Sequence, residues 1–168
     1  MNLPHAMNHV GITVPDIDAA VAWYRDVIGC YVLAHPAEAN DDGTHFGNAV
    51  KDIFGKNFGS LKIAHLSTAD GVGIELFQFS KPKTYAPDNT FEYWRTGIFH
   101  ICLTAVDIEA TARQIAANGG KQMSKVWKLF SNKDYKVCYC CDPWGTIIEL
   151  STHSYVQTWS NLEEPHKF

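Results

Sequence analysis

No cluster of lysine or arginine occurs anywhere along the 168 residues, and 14 basic against 18 acidic side chains leave a net charge of −4. Sequence-independent nucleic-acid binding works by neutralising phosphates, so that class of partner is not expected. No run of about 18 apolar residues is present, so no membrane span is expected either. The start of the chain is also poor in positive charge. The first arginine is Arg25 and the first lysine Lys51, and Met-Asn-Leu-Pro-His lacks the basic and apolar stretches of a secretory leader. The five cysteines, Cys30, Cys102, Cys138, Cys140 and Cys141, are odd in number and show no disulfide-framework spacing. A reducing, cytoplasmic setting is expected.

What is there suits a folded chain. The composition is 46% hydrophobic, 12% aromatic and 19% charged, which fits neither a disordered tail nor a coiled-coil rod. A chain of this length buries about two-thirds of its unfolded surface without needing a disulfide or structural metal.

The chain also repeats itself. Residues 9–19 read His-Val-Gly-Ile-Thr-Val-Pro-Asp-Ile-Asp-Ala, and residues 100–110 read His-Ile-Cys-Leu-Thr-Ala-Val-Asp-Ile-Glu-Ala. His9/His100, Thr13/Thr104, Asp16/Asp107, Ile17/Ile108 and Ala19/Ala110 are identical in this register. Further on, Gly73-Ile74-Glu75-Leu76 echoes Ile147-Ile148-Glu149-Leu150. In each copy an apolar strand (about 7–14 and 98–106) runs into an aspartate suited to capping a helix. Ile17, Ala20, Val21, Tyr24, Val27 and Ile28 then share one helical face, as do Ile108, Ala112 and Ile115. Three strands follow, about 30–35, 61–67 and 72–79 in the first copy and 121–128, 134–141 and 145–152 in the second. Asp142-Pro143-Trp144-Gly145 reads as the tight turn between the last two.

The fold class expected is therefore α+β: two repeated βαβββ modules forming a curved mixed sheet around a metal site. The modules span 1–80 and 97–152, joined by a linker over 81–96 and followed by a tail over 153–168. One difference separates the copies. His9 and Glu75 are 66 positions apart, His100 and Glu149 only 49. The surplus falls in residues 37–60, which carry Gly43, Gly47, Gly55 and Gly59 and read as a long loop.

Strand alternation turns Glu75 away from Ile74 and Leu76, Glu149 away from Ile148 and Leu150, and His9 away from Val10. His100 holds the matching place in the second copy. Two imidazoles and two carboxylates at repeat-related positions suit a divalent ion (Zn, Ni, Co, Fe or Mn) with coordination positions left for substrate oxygens. The adjacent cysteines at 138–141 face opposite ways along a strand and read as small buried apolar residues. His35, His45, His65 and His153 have no counterpart in the repeat and read as ordinary.

His9 through Asp16, followed by Trp23-Tyr24-Arg25-Asp26-Val27-Ile28-Gly29, together with Asp142 through Leu150, resembles the vicinal oxygen chelate superfamily. That superfamily contains glyoxalase I, methylmalonyl-CoA epimerase, fosfomycin-resistance proteins, extradiol dioxygenases and bleomycin-binding proteins. The resemblance implies that His9, Glu75, His100 and Glu149 are the metal ligands. Carboxylates at both end-of-module positions are most similar to glyoxalase I. It further implies a small substrate with vicinal oxygens, processed by lyase or isomerase chemistry through a metal-stabilised enediolate. Glu149 is then the first candidate for the catalytic base and Glu75 the second, with the 37–60 loop closing over the site. Two rivals are implied as well. One is an Fe²⁺ extradiol-type dioxygenase using His9, His100 and Glu149. The other is a non-catalytic binding protein with Phe77, Trp127 and Phe130 as pocket walls. Among such proteins the modules pair either within one chain or across a homodimer.

Overall fold

The computed structural model describes residues 3–87 and 91–160. Residues 88–90 of the expected linker and 161–168 of the expected tail lie outside the described residues. The chain separates into two compact units, Met1–Ala86 and Pro87–Phe168.

In the first unit, β1 (His9–Thr13) leads into α1 (Ile17–Trp23), which widens into a π-helical turn over Tyr24–Ile28. Asp16 caps α1, its carboxylate accepting from the Ala19 amide at 3.1 Å. The Gln78 side chain accepts from the Ile17 amide at 3.0 Å, tying the helix to the sheet. Ile17, Ala20, Val21, Tyr24 and Val27 are all buried, as their periodicity predicts. Three more strands follow: β2 (Tyr31–Asn40), β3 (Ser60–Ser67) and β4 (Gly73–Lys81). They assemble in the order β1-β4-β3-β2, with β1 parallel to β4 and the other pairs antiparallel.

The second unit repeats the plan. It contains β5 (Ile101–Thr104), α3 (Ile108–Ala117), β6 (Lys121–Gln122), β7 (Trp127–Lys128), β8 (Lys136–Cys141) and β9 (Ile147–Ser151). Its sheet runs β5-β9-β8-β6, with β7 also paired to β8. Asp107 caps α3 as Asp16 caps α1, accepting from the Ala110 amide at 2.8 Å. The 142–145 turn forms as expected, the Asp142 carboxylate accepting from the amides of Trp144 (2.9 Å) and Thr146 (2.7 Å). A short helix, α4 (Tyr155–Trp159), closes the described chain with a Ser154/Gln157 capping box. Both units are thus α+β with a mixed sheet.

Three features depart from expectation. Residues 37–60 are not a loop. β2 runs on to Asn40, β3 begins at Ser60, and α2 (His45–Phe54) stands between them. Asp42 accepts from the Thr44 amide and hydroxyl, and Thr44 in turn caps α2 by accepting from the Gly47 amide. Gly55 ends the helix in the left-handed region (φ +83°) that favours glycine. Gly47 is a close-packing position: a Cβ there would lie 2.5 Å from the Asn40 carbonyl oxygen. The glycines that suggested a loop therefore seat and end a helix.

The second departure is in 121–128, expected as one strand but broken into β6 and β7. The amides of Met123 and Ser124 both donate to the Tyr139 carbonyl (2.8 and 3.1 Å), so two residues oppose one across a β-bulge. Third, the regular strand of the second unit begins at Ile101, one residue after His100.

α2 lies on the side of the first sheet that faces away from α1. Val50 and Phe58 join Ala39 and Leu61 in a buried cluster, with Ile63, Phe77 and Phe79 packed against it. The Phe54 ring meets Phe58, Phe77 and Phe79 at centroid distances of 5.8, 5.9 and 5.0 Å. The sheet of the first unit is therefore covered on one face by α1 and over part of the other by an aromatic cluster.

Candidate metal centre

The uncovered part of that second face carries the polar residues. On β4, Ile74 and Leu76 are buried against the α1 side while Glu75 turns the other way, its side chain 22% exposed. His9 stands on β1 next to Gly73 in the parallel register, and Gly11 stands beside Glu75. Gly73 is required there. A Cβ on it would come within 2.8 Å of the His9 Cβ, so its hydrogen leaves the space the imidazole stem occupies. The Phe77 ring edge similarly comes within 3.3 Å of where a Gly11 Cβ would stand, placing an aromatic wall beside the carboxylate.

His9 Nε2 and Glu75 Oε2 are 3.5 Å apart. The other ring nitrogen of His9, Nδ1, meets the Asn8 side-chain oxygen at 2.7 Å. With Asn8 accepting, the ring proton is on Nδ1 and Nε2 presents a lone pair toward the carboxylate. Two electron-pair donors facing each other favour a positive charge between them, and a divalent ion supplies one. Ligands bound cis at about 2.1 Å from one ion stand about 3.0–3.4 Å apart, close to the separation here.

The second unit carries the same pair. His100 Nε2 and Glu149 Oε2 are 3.0 Å apart, with side chains 28% and 19% exposed. Glu149 departs from the helix side just as Glu75 does, between buried Ile148 and Leu150. Buried His100 Nδ1 has no hydrogen-bond partner among the described residues, and the ring is held by Glu149 and by edge-on packing against Phe99 and Tyr139, at centroid distances of 4.3 and 5.4 Å. Both pairs therefore fit a divalent ion by donor type and spacing. Among the described residues no group of three or more His, Cys, Asp or Glu gathers around one ion position.

Tyr139 on β8 lies directly opposite Glu149 on β9. Burial, the Glu149 charge and a hydrogen bond to that carboxylate push the Tyr139 phenol up to about 12. In the first unit the residue opposite Glu75 is His65. Its Nδ1 is 3.6 Å from Glu75 Oε1, the oxygen turned away from His9. His65 was read as ordinary from the sequence, yet a signal was present: His65 and Tyr139 each stand ten residues before the module's glutamate.

The remaining sequence candidates divide. Cys138 and Cys140 are wholly buried, and burial pushes the Cys140 thiol up to about 12, so both serve as small core residues. Phe77 lines the same face as Glu75, whereas Trp127 is largely exposed and Phe130 packs edge-on against Trp159 at 5.8 Å. No helix among the described residues is long and apolar enough to cross a membrane.

Known proteins share this fold. A curated relative, a 2-epi-5-epi-valiolone epimerase from Actinomyces, is 28% identical over 153 residues, spanning 86% of this chain and 78% of its own. The crystal structure of a glyoxalase family protein from Bacillus cereus superposes with a TM-score of 0.70 at 26% identity, covering 89% of this chain and 95% of that one. Glyoxalase I from Zea mays superposes with a TM-score of 0.60 at 19% identity, over 88% of this chain and 44% of its own length. The family model for the Glyoxalase/Bleomycin resistance protein/Dioxygenase superfamily matches residues 6–150, nearly the whole chain, and the protein belongs to that superfamily.

Proposed function

We propose that this protein is a divalent-metal-dependent enzyme that moves a proton at the carbon beside a carbonyl, in a small substrate bearing vicinal oxygens. His9, Glu75, His100 and Glu149 hold the ion, and the reaction is an isomerisation, epimerisation or lyase-type rearrangement. The observation that carries this reading is the pairing in each unit of an imidazole Nε2 with a carboxylate oxygen, at 3.5 and 3.0 Å. The epimerase relative supports it, because inverting a carbon next to a ketone means removing and returning its proton.

When bound, the ion acts as a Lewis acid toward substrate oxygens, taking up charge as the proton leaves. The chain's own residues do the rest. His9 is held by Asn8 in the tautomer that offers Nε2. Glu149 accepts the proton from the reacting carbon and returns it, with Glu75 the second candidate for that role. Tyr139 stays protonated at neutral pH, donating to Glu149 and keeping that carboxylate oriented. Phe77, braced by α2, gives the first unit's face an apolar wall that excludes water.

Exchange with heavy water tests this directly. Protein loaded with Co²⁺, Ni²⁺, Zn²⁺, Mn²⁺ or Fe²⁺ is incubated in D₂O with a panel of α-hydroxyketones and cyclic polyhydroxy ketones, and proton NMR follows the hydrogen beside the carbonyl. Metal-dependent loss of that signal, abolished in Glu149→Gln, is expected. No exchange with any ketone, alongside metal-dependent oxygen uptake with catechols, would overturn the proposal in favour of a dioxygenase.

A further inference from the structure

We propose that His65 is a positioning residue for Glu75, holding the carboxylate oxygen that does not face His9. The proposal rests on the reading of Glu75 as a metal ligand. The two imidazoles bracket one carboxylate: His9 Nε2 is 3.5 Å from Oε2, and His65 Nδ1 is 3.6 Å from Oε1. Because they address different oxygens, His65 stands on the outer side of the carboxylate, away from the place where an ion meets Oε2.

A histidine with a half-exposed side chain is ordinarily a solvent-facing residue. Three observations set this one apart. It is the direct cross-strand partner of Glu75 on β3, sharing its face of the sheet. The same place in the second unit holds Tyr139, the direct cross-strand partner of the corresponding carboxylate. Each module thus places a ring bearing a polar hydrogen opposite its glutamate, by a ten-residue spacing that is the same in both. Finally, the contact uses Nδ1, the ring nitrogen nearer the backbone, so the imidazole reaches Oε1 from the side of the neighbouring strand.

The 3.6 Å gap is just beyond hydrogen-bonding range, and the positioning role requires a side-chain rotation that closes it. A carboxylate tied at one oxygen keeps the other aimed at the ion. Partners of this kind contribute about 10–100-fold to metal affinity. The chemistry required of residue 65 is then a donor at the position of Nδ1, which asparagine also supplies and alanine does not.

Co²⁺ binding to the full chain, followed by its visible d–d absorption, tests the inference without needing a substrate. His65→Ala should weaken Co²⁺ binding about 10-fold or more. His65→Asn, which keeps a donor where Nδ1 was, should restore most of that loss with the wild-type band shape. Thermal melting of the metal-free proteins checks that both variants are folded. Wild-type affinity in His65→Ala would overturn the inference while leaving Glu75 as a ligand. Equal loss in both variants with an altered band shape would make His65 a ligand itself and overturn the positioning role. Absence of any Co²⁺ band from the wild-type protein would overturn the metal reading, and this inference with it.

Discussion

Asn8 and His9 are neighbours in sequence, and the 2.7 Å contact between the Asn8 oxygen and His9 Nδ1 decides which ring nitrogen faces Glu75. Asn8→Ala removes the partner that keeps the proton on Nδ1. Metal affinity should fall about 10-fold with little change in thermal stability, read by competition with a chromogenic chelator. Unchanged affinity would mean that the ring is fixed by something else.

Gly73 offers a steric test of the same centre. Its missing Cβ leaves room for the His9 stem, since a Cβ there would lie 2.8 Å from the His9 Cβ. Gly73→Ala should displace the imidazole and cut metal binding, while far-UV circular dichroism stays that of the wild type. Full metal binding in Gly73→Ala would show that His9 can be displaced without consequence.

How much of this could be read from the sequence depended on repetition. The internal echo gave both modules, both aspartate caps and the four paired residues, because the same motifs met twice in one order are unlike chance. α2 has no counterpart in the second module, and its flanking glycines imitate a loop, so its Val50–Phe54 apolar face went unread. The bulge opposite Tyr139 was hidden too, since a strand broken by one extra residue keeps a strand's composition. His65 is not marked by the repeat, because its counterpart is a tyrosine and the two share a place without sharing a residue type.

The α2 cluster can be weighed by truncation. Phe58 is only 3% exposed and packs with Ala39, Val50 and Leu61. Phe58→Ala should cost about 3 kcal/mol in urea unfolding. Ile53→Ala, on the exposed side of the same helix, should cost no more than about 0.5 kcal/mol. Equal effects would contradict the placement of α2 on the sheet.

Tyr139 carries a pH prediction. Burial together with Glu149 raises its phenol to about 12, against an ordinary value of about 10. The folded state therefore favours the protonated ring. Its stabilising contribution is complete below about pH 10 and is lost as pH rises through the folded-state value. In Glu149→Gln the charge is gone and burial remains, so Tyr139 should ionise earlier than in wild type but still late. Ultraviolet titration of the phenolate, with Tyr139→Phe identifying the signal, measures the shift. An unchanged onset would show that Glu149 does not act on this ring.

Elemental analysis tests the central claim most directly. The protein is purified without a histidine tag or added metal and compared with His100→Ala. The account predicts about one equivalent of a divalent ion in the wild type, lost in the variant. It is contradicted if neither protein holds a metal and the wild type takes up none from added Zn²⁺, Fe²⁺, Ni²⁺, Co²⁺ or Mn²⁺.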